Sequence, residues 1–276
     1  MIKKEEIDRL KQVALRCRKD ILEMTSIAQS GHPGGSLSSI DIMVALYFWK
    51  MKINPRNPHL PTRDRFVLSK GHSCPALYAC LARRGFFSPT LLKTFRRPGS
   101  PLQGHPEYGK CRGVEASAGP LGQGLGVGVG MALAARLDRQ NYRTYVMLGD
   151  GECDEGNIWE SAMSAAHFKL SNLTAILDHN GLQIDGTNSE VMEIEPIADK
   201  FRSFGWSVIE IDGHDFIEIT DALELAERIA DKPSIIIAKT VKGKGVKLME
   251  NQVEWHGKAC SKDELKVCLA ELDRNG

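Results

Sequence analysis

The segment TYVMLGDGECDEGNIWESAMSAAHF, residues 144–168, joins two apolar stretches through a glycine-rich acidic turn. Its first part, Thr144–Leu148, predicts a buried strand, and its last part, Asn157–Phe168, predicts an apolar helix. The glycines on either side of Asp150 allow the backbone to approach a ligand closely, and the carboxylate offers an oxygen ligand. The segment therefore predicts a strand–turn–helix unit with a candidate ligand site at the turn.

Further strands and helices are predicted on both sides of this unit. The other predicted strands are Leu173–Leu177, Ser207–Ile211 and Ser234–Ala238. The other predicted helices are 3–24, Ile40–Trp49, Ala76–Arg84, Ile219–Ile229 and a closing helix through Leu265, Cys268, Leu269 and Leu272. Breaks or loops rich in Gly, Pro or Ser are predicted at Ser30–Ser36, Asn54–Pro61 and 98–124. Short strands that alternate with helices predict an α/β fold with a doubly wound parallel sheet and helices on both faces, and we expect one domain over residues 1–276.

The composition limits the classes of protein to which the chain can belong. It has 276 residues, 42% of them hydrophobic, which is enough to bury a full core. A net charge of +1, from 36 Lys and Arg against 35 Asp and Glu, gives no electrostatic basis for binding nucleic acid or an anionic membrane. No stretch approaches the ~18 apolar residues of a membrane span, and no signal peptide is visible at the N-terminus.

The cysteines give a weaker indication of compartment. The seven are scattered, and none forms a CxxC pair. This pattern argues against a disulfide framework and against a structural zinc site. A reducing cytoplasm is the expected location.

A candidate metal site arises where two predicted strands end. The segment LDHNGLQIDG, residues 177–186, follows the second strand as the turn at Asp150 follows the first. Because ligands of open α/β sheets bind beyond the carboxyl ends of the strands, Asp150 and Asn180 are expected at one edge. Together with the backbone carbonyl of Leu182 they would supply the hard oxygens that Mg²⁺ prefers beside phosphates. The alternative is ordinary turn chemistry, since Asp-Gly and Asn-Gly are common turn pairs.

The Gly-Asp-Gly turn and the later Asn180 resemble the metal motif of thiamine-diphosphate enzymes. That motif often ends in two asparagines, and His179 stands in the first of these positions. The position matched to the side-chain metal ligand, Asn180, is retained. The resemblance implies that the chain binds the diphosphate end of thiamine diphosphate through Mg²⁺, with Ca²⁺ or Mn²⁺ as alternative metals.

Five further segments resemble the transketolase family and follow the family's order along the chain. They match its three histidine segments, its glycine-rich segment and the segment that closes its diphosphate-binding domain. The segments are SGHPGGSLSSID at 30–41, LSKGHSCPALYA at 68–79, GHPE at 104–107, GPLGQGLGVGVGMA at 119–132 and KTVKGKG…EWHGKA at 239–259. Deoxyxylulose-phosphate synthases and 2-oxoacid dehydrogenases fit less well, because each lacks one of these segments in this form.

The resemblance gives four histidines a common role. A neutral imidazole can both donate and accept a hydrogen bond, and its pKa lies near working pH. By resemblance, the four would surround the reactive carbon of the cofactor: His32 and His256 to take the proton of the C3 hydroxyl, His105 to hold the C1 hydroxyl, and His72 beside them. The alternative for any one is a structural hydrogen bond. We assign that role to the other histidines, which are His59, His167, His179 and His214.

The resemblance also implies a wider set of cofactor-binding residues. Lys242 and Lys70 are candidate cations for the phosphates, with surface lysine as the alternative. Glu155 would couple two cofactor sites across a subunit interface or, alternatively, stabilise a helix N-terminus. Five glycines within 122–130 favour close approach of a ligand or helix over tight packing alone, since each costs ~1 kcal/mol in a helix interior. The implied cofactor-binding residues are His72, Gly119, Leu121, Gly149, Asp150, Gly151, Glu155, Asn180, Lys242 and His256.

The resemblance finally implies a partner chain. Transketolases activate the cofactor with a glutamate from a pyrimidine-binding domain, and no segment of this sequence matches that domain. We therefore expect the N-terminal subunit of a split transketolase, with the pyrimidine-binding and C-terminal domains on a second subunit and an α2β2 assembly. The expected reaction is two-carbon ketol transfer between sugar phosphates in the pentose phosphate pathway. The alternatives are a split enzyme for an unusual sugar phosphate or sulfosugar, and a non-catalytic regulatory paralogue.

Overall fold

Five parallel strands form one sheet in the computed structural model, which describes residues 2–275. The strands are β1 (Arg65–Leu68), β2 (Thr144–Gly149), β3 (Leu173–His179), β4 (Ser207–Asp212) and β5 (Ser234–Lys239). Their order across the sheet is β1-β2-β3-β5-β4, and each neighbouring pair is parallel. The predicted parallel α/β fold is confirmed.

Helices connect the strands and cover the sheet. They are α1 (Lys4–Ala28), α2 (Pro33–Ala45), α3 (Cys74–Arg84), α4 (Gln123–Leu137), α5 (Gly156–His167), α6 (Asn188–Val191), α7 (Ile197–Ser203), α8 (Phe216–Arg228) and α9 (Lys262–Asn275). A π-helical turn, Leu46–Lys50, extends α2. None of the helices within residues 2–275 combines the length and the apolar character that crossing a membrane requires.

Alternate residues of β2 face two separate hydrophobic cores. Tyr145 and Met147 pack in one core with residues of α1, α2, α3 and α8. Val146 and Leu148 pack in the other with residues of α4, α5 and α7. Because successive side chains of a strand point to opposite faces, helices cover both faces of the sheet. The doubly wound arrangement is thus confirmed from the packing.

One strand was not predicted from the sequence, and one local prediction is wrong. The strand β1 was not expected, because four residues are too few for a periodic pattern and they follow a proline-rich loop. The predicted break at Ser30–Ser36 is half helical, since α2 begins at Pro33. Proline is suited to the first turn of a helix, where its missing N–H has no intrahelical partner. Gly34 then lets this turn pack against the Trp255 carbonyl, which a Cβ atom would approach to 2.8 Å.

The glycine-rich helix α4 is packed closely against the sheet at two points. A Cβ atom at Gly124 would collide with Ser69 after β1, and one at Gly128 would collide with Val146 of β2. Gly122 precedes the helix in the left-handed region, with φ of 79°. Gly130 faces open space within the chain. Tight packing therefore explains part of the glycine pattern, but it does not explain Gly130.

Candidate active site

The loops after β1, β2, β3 and β5 surround one cavity of about 350 Å³ at the carboxyl edge of the sheet. Its lining residues are His32, Gly35, Lys70, His72, His105, Gly119, Leu121, Gly149, Asp150, Gly151, Glu152, Asn180, Leu182, Gln183, Ile184, Asp185, Val191, Lys242 and His256. Every residue predicted for catalysis, cofactor binding or metal binding lines this cavity except Glu155. The sequence segments that lie far apart along the chain thus converge on one site.

Asp150 is a buried carboxylate of the cavity, with 3% of its surface exposed. Its Oδ1 accepts the Gly151 N–H at 2.9 Å. Its Oδ2 accepts the Gly181 N–H at 2.6 Å and the Asn188 side-chain amide at 3.1 Å. Burial, and then the negative charge of Asp178, raises the pKa of Asp150. An anion that burial disfavours in this way would gain from a cation bound beside it.

The other predicted metal ligands lie in the turn that contacts Asp150. The Asn180 Oδ1 accepts the Leu182 N–H at 3.2 Å, and the Leu182 carbonyl accepts from the Lys242 ammonium at 3.1 Å. All three candidate ligand atoms are oxygens, as Mg²⁺ prefers when phosphate completes its coordination. Within the described residues, no group of three or more His, Cys, Asp or Glu side chains could hold a metal ion. The three oxygen donors fit a metal that shares its coordination with a diphosphate.

Two lysines with 2% of their surfaces exposed supply positive charge to the cavity. Lys70 forms an ion pair with Asp178 and donates to the Gly35 carbonyl at 3.1 Å. Lys242 donates to the carbonyls of Leu182 and Gln183 at 3.1 and 3.2 Å. Burial, and then the charge of Lys70, lowers the pKa of Lys242 to about 8. The surface-lysine alternative is wrong for both, and an anionic ligand would favour their charged forms.

Asp178 connects helix α2 with the loops after β1 and β5. It lies in β3 with no exposed surface and accepts from Lys70, from Ser38 at 2.6 Å and from Thr240 at 2.5 Å. Burial alone would raise the pKa of Asp178, but the charge and hydrogen bond of Lys70, with the two hydroxyl donors, lower it. This residue was not among the predicted site residues. The sequence feature that could have identified Asp178 is its position two residues before Asn180, at the end of a buried strand.

We expect Asp178→Ala to lower the free energy of unfolding by about 3–5 kcal/mol, because it leaves the Lys70 ammonium buried without its partner. Chemical denaturation followed by circular dichroism measures the change. Asp199→Ala is the matched control, since that carboxylate is 68% exposed in its ion pair with Arg202 and such pairs contribute about 0–1 kcal/mol. Equal losses in the two variants would contradict a structural role for the Asp178 ion pair.

The four predicted catalytic histidines form one cluster in the cavity. The ring centroid of His32 lies 5.3 Å from that of His72, 5.4 Å from that of His256 and 6.5 Å from that of His105. The rings of His72 and His256 are 5.1 Å apart. Four imidazoles at this spacing could contact neighbouring hydroxyl groups of one small ligand.

These histidines are held in their neutral form. Burial lowers the pKa of His32 to about 4 and that of His256 to about 3, with Arg96 and Lys242, respectively, as the next cause. Burial likewise lowers the pKa of His72 and of His105. Each group therefore titrates below the ordinary histidine range, and each keeps both a donor and an acceptor nitrogen near pH 7.

The hydrogen-bond partner of His256 fixes its tautomer. Its Nδ1 lies 3.0 Å from the Lys242 ammonium, which can only donate. Nδ1 is therefore the acceptor, and the hydrogen of the neutral ring is on Nε2. In this arrangement His256 offers a donor on Nε2, and taking a proton there requires Nε2 to release its own hydrogen.

Glu152, rather than Glu155, is the buried glutamate of the turn. It is 2% exposed, and it accepts from Ser69, from the Gly122 N–H at 2.8 Å and from the Gly149 N–H at 3.0 Å. Burial raises the pKa of Glu152 despite these bonds. Glu155 is exposed at the start of α5 and lies outside the cavity. Its predicted role at an interface stays a prediction.

The one departure from the metal motif falls outside the cavity. The Nε2 atom of His179 lies 3.2 Å from the Glu195 carboxylate, and the ring is not part of the cavity lining. The backbone carbonyl of His179 accepts the Thr240 N–H at 3.0 Å. The replacement at this position therefore leaves the candidate ligand Asn180 in place.

Comparisons with known proteins agree with this site. Residues 11–274 match the family described as "Transketolase, thiamine diphosphate binding domain". The chain is 45% identical to a 6-deoxy-6-sulfo-D-fructose transketolase subunit of Clostridium sp., over 99% of this chain and 98% of that protein. It is 41% identical to an apulose-4-phosphate transketolase subunit of Phocaeicola vulgatus, over 97% of this chain and 95% of that protein.

Longer transketolases match the chain over part of their length. Human transketolase is 38% identical over 97% of this chain but only 42% of its own length. The crystal structure of Campylobacter jejuni transketolase superimposes with a TM-score of 0.92 and 35% identity, over 97% of this chain and 43% of that one. The chain thus spans less than half of these enzymes.

Fold and cavity agree with the match to a thiamine diphosphate binding domain. The chain belongs to the transketolase family, in which it corresponds to the thiamine diphosphate binding domain.

Proposed function

We propose that the chain is the N-terminal subunit of a split transketolase that transfers a two-carbon ketol unit from a ketose phosphate to an aldose phosphate. The observation that carries this proposal is one cavity in which four histidines meet a carboxylate, an amide and a carbonyl oxygen. Two relatives that this chain matches over nearly their whole length are named as transketolase subunits. Because the matches cover nearly the whole of both subunits, they support the proposal that this chain also acts as a subunit.

The cofactors of the proposed reaction are thiamine diphosphate and Mg²⁺. Asp150, Asn180 and the Leu182 carbonyl would hold the metal, and Lys242 would neutralise the diphosphate with the help of Lys70. The bound thiamine diphosphate supplies the nucleophilic carbon that breaks and forms the sugar's carbon–carbon bond. The protein supplies orientation, charge and proton transfer around it.

The histidine cluster would manage the hydroxyl groups of the sugar. His105 would hold the C1 hydroxyl, and His32 would take the proton of the C3 hydroxyl. His256, whose Nδ1 accepts from Lys242, would donate to the C3 oxygen from Nε2. Neutral rings are required for this work, because a protonated imidazole has no lone pair with which to accept. The low pKa values of the cluster support this assignment. Retention of all four rings with Asp150 and Asn180 also disfavours the non-catalytic alternative.

A partner with a pyrimidine-binding domain would complete the site. Ile184 and Val191 line the cavity and are 63% and 41% exposed, and neighbouring Met192 is 58% exposed. Val127 of α4 and Met163 of α5 are 39% and 58% exposed. Large apolar side chains in such positions are suited to burial against another chain. We propose that a C-terminal subunit covers the cavity and that two copies of each chain form the assembly, with α4 at an interface.

A second candidate function differs only in the sugar. The relatives at 45% and 41% identity are named for 6-deoxy-6-sulfo-D-fructose and for apulose-4-phosphate. These names favour a split enzyme for an unusual sugar phosphate or sulfosugar as the alternative to the common pentose phosphates. Both candidates use the same cavity and the same two-carbon transfer.

Reconstitution with a partner tests the proposal. We expect no ketol transfer from the isolated chain and transfer after addition of a pyrimidine-domain subunit from the same genome, with thiamine diphosphate and Mg²⁺. Product analysis with xylulose 5-phosphate, a sulfosugar and apulose 4-phosphate as donors distinguishes the two candidates. Mass measurement in solution checks the α2β2 assembly. Full activity of the isolated chain would contradict the split-enzyme proposal.

A further inference from the structure

The loop after β5, residues 240–245, determines where the Lys242 ammonium lies. Lys242 reaches the Leu182 carbonyl at 3.1 Å and the His256 Nδ1 at 3.0 Å. A long, flexible side chain can keep two such contacts only if its own backbone is fixed. The groups that hold the backbone of this loop from outside the cavity therefore bear on the position of Lys242.

His214 contacts this loop directly beside Lys242. The Val241 N–H donates to the His214 Nε2 at 2.9 Å, so Nε2 is an acceptor without a hydrogen. The His214 Nδ1 lies 2.8 Å from the Asp41 Oδ2 and therefore carries the hydrogen that the carboxylate accepts. One neutral tautomer satisfies both contacts.

Arg18 holds both Asp41 and the far end of the loop. Its two terminal nitrogens donate to the two oxygens of Asp41 at 2.9 and 2.6 Å, and its Nε donates to the Lys244 carbonyl at 3.2 Å. Burial opposes the charge of Asp41, but Arg18 and His214 together lower the pKa of Asp41 to about 2. The loop is thus attached at a backbone N–H before Lys242 and at a backbone carbonyl after it.

We propose that His214, oriented by Asp41 and Arg18, is a positioning residue that fixes the loop so that Lys242 faces the diphosphate end of the cofactor. The proposal extends the structural hydrogen-bonding role assigned to His214 from the sequence. The part of this inference that concerns the cofactor rests on the proposed function. The part that concerns the loop rests on the contacts alone.

Two substitutions separate the contacts of His214. In His214→Gln, the side-chain carbonyl oxygen can take the place of Nε2 and accept the Val241 N–H. In His214→Asn, the shorter amide can take the place of Nδ1 and donate to Asp41, but it cannot reach Val241. If His214 acts on the loop, Gln preserves its effect and Asn does not. If its role is only to donate a hydrogen bond to Asp41, the order is reversed.

The first measurement is hydrogen exchange of the Val241 amide in the full chain without cofactor. We expect exchange about tenfold faster in His214→Asn and near wild type in His214→Gln, because the loss of one hydrogen bond changes local stability by about a factor of ten. The Val146 amide in β2 is the internal control and should not change. Equal Val241 exchange in wild type and His214→Asn would overturn the proposal.

The second measurement is the affinity of the reconstituted pair for thiamine diphosphate with Mg²⁺. We expect His214→Asn to weaken binding about tenfold in the wild-type background and to have no further effect in Lys242→Met, because coupled residues are non-additive. Full additivity, or faster exchange without weaker binding, would overturn the positioning of Lys242. If the wild-type pair bound no cofactor, the proposed function would fail, whereas the exchange result would still decide whether His214 holds the loop.

Discussion

Asp150→Ala is expected to abolish Mg²⁺-dependent binding of thiamine diphosphate to the reconstituted enzyme while leaving the fold intact. The change removes the only anionic member of the proposed metal set, and the two other members are neutral oxygens. By analogy with the removal of one partner from a buried charge pair, it should cost about 3–5 kcal/mol. That cost corresponds to an affinity lower by about two to three and a half orders of magnitude. Titration calorimetry at fixed Mg²⁺ measures it.

A carboxylate in the same turn provides the matched control. Asp154 is exposed and lies outside the cavity lining, so Asp154→Ala makes the same change of charge without removing a lining residue. We expect its affinity for cofactor to stay near that of the wild type, and thermal unfolding without cofactor checks that both variants fold. Unchanged binding in Asp150→Ala would remove this residue from the metal site. Equal weakening in both variants would indicate an unspecific effect of charge.

The fold was largely predictable because its pattern is repetitive. The strands β2, β3, β4 and β5 are apolar runs bounded by turn residues, and an alternation of such runs with helices has few solutions other than a parallel sheet. The strand β1 escaped prediction because RFVL is only four residues long. It becomes a strand through pairing with β2, which lies almost 80 residues later in the chain. Such long-range pairing leaves no local signal.

The contents of the cavity were predictable to the extent that they lie in glycine-rich segments. Such segments stand out in a sequence, and they carry the four histidines, Asp150 and Asn180. Glu152 and Asp178 lie within the same segments but were not predicted as site residues, because the sequence does not show whether a carboxylate will be buried. Their roles depend on partners from other loops, such as the Gly122 N–H and the Lys70 ammonium.

His214 illustrates the same limit from outside the cavity. Its two partners, Asp41 and Val241, come from α2 and from the loop after β5. A single histidine without a glycine-rich context is more often structural, and the sequence offered no reason to connect it with Lys242. Only the folded chain brings the three elements together. Residues that act by positioning others are the class that sequence patterns reveal least.

The cavity has a charged region and a neutral region, and the two regions are suited to different functions. Near β2 and β3, buried carboxylates and lysines form a charged region in which burial disfavours the anion of Asp150 and the cation of Lys242. A bound metal ion would stabilise the charged form of Asp150, and a bound diphosphate would stabilise the charged form of Lys242. Near the histidine cluster, the same burial removes charge and leaves neutral donors and acceptors. The charged region is suited to holding an anionic cofactor with its metal, and the neutral region to moving protons of a sugar.

The second large effect is expected in turnover. His32→Ala and His256→Ala should each lower kcat of the reconstituted enzyme by roughly 10²–10⁴-fold, the usual contribution of a positioned acid or base. Cofactor affinity should change far less, since neither ring belongs to the proposed metal set, although His256→Ala also removes one contact of Lys242. Steady-state rates with a ketose donor, together with the calorimetric titration used for Asp150→Ala, separate the two quantities. His167→Ala is the matched control, because that exposed ring lies outside the cavity.

The pH dependence of the wild-type enzyme gives this prediction an independent readout. Because burial lowers the pKa of His32 to about 4 and that of His256 to about 3, both rings stay neutral as the pH falls through the ordinary histidine range. Their protonation should therefore not produce an acid limb in kcat/KM near pH 6.5, and the loss they cause should appear only below about pH 5. Near-normal turnover in both alanine variants would leave the two rings with structural hydrogen bonds alone. An acid limb near pH 6.5 that disappears in either variant would instead mean that the ring titrates as an ordinary histidine and that the cavity is wetter than its burial implies.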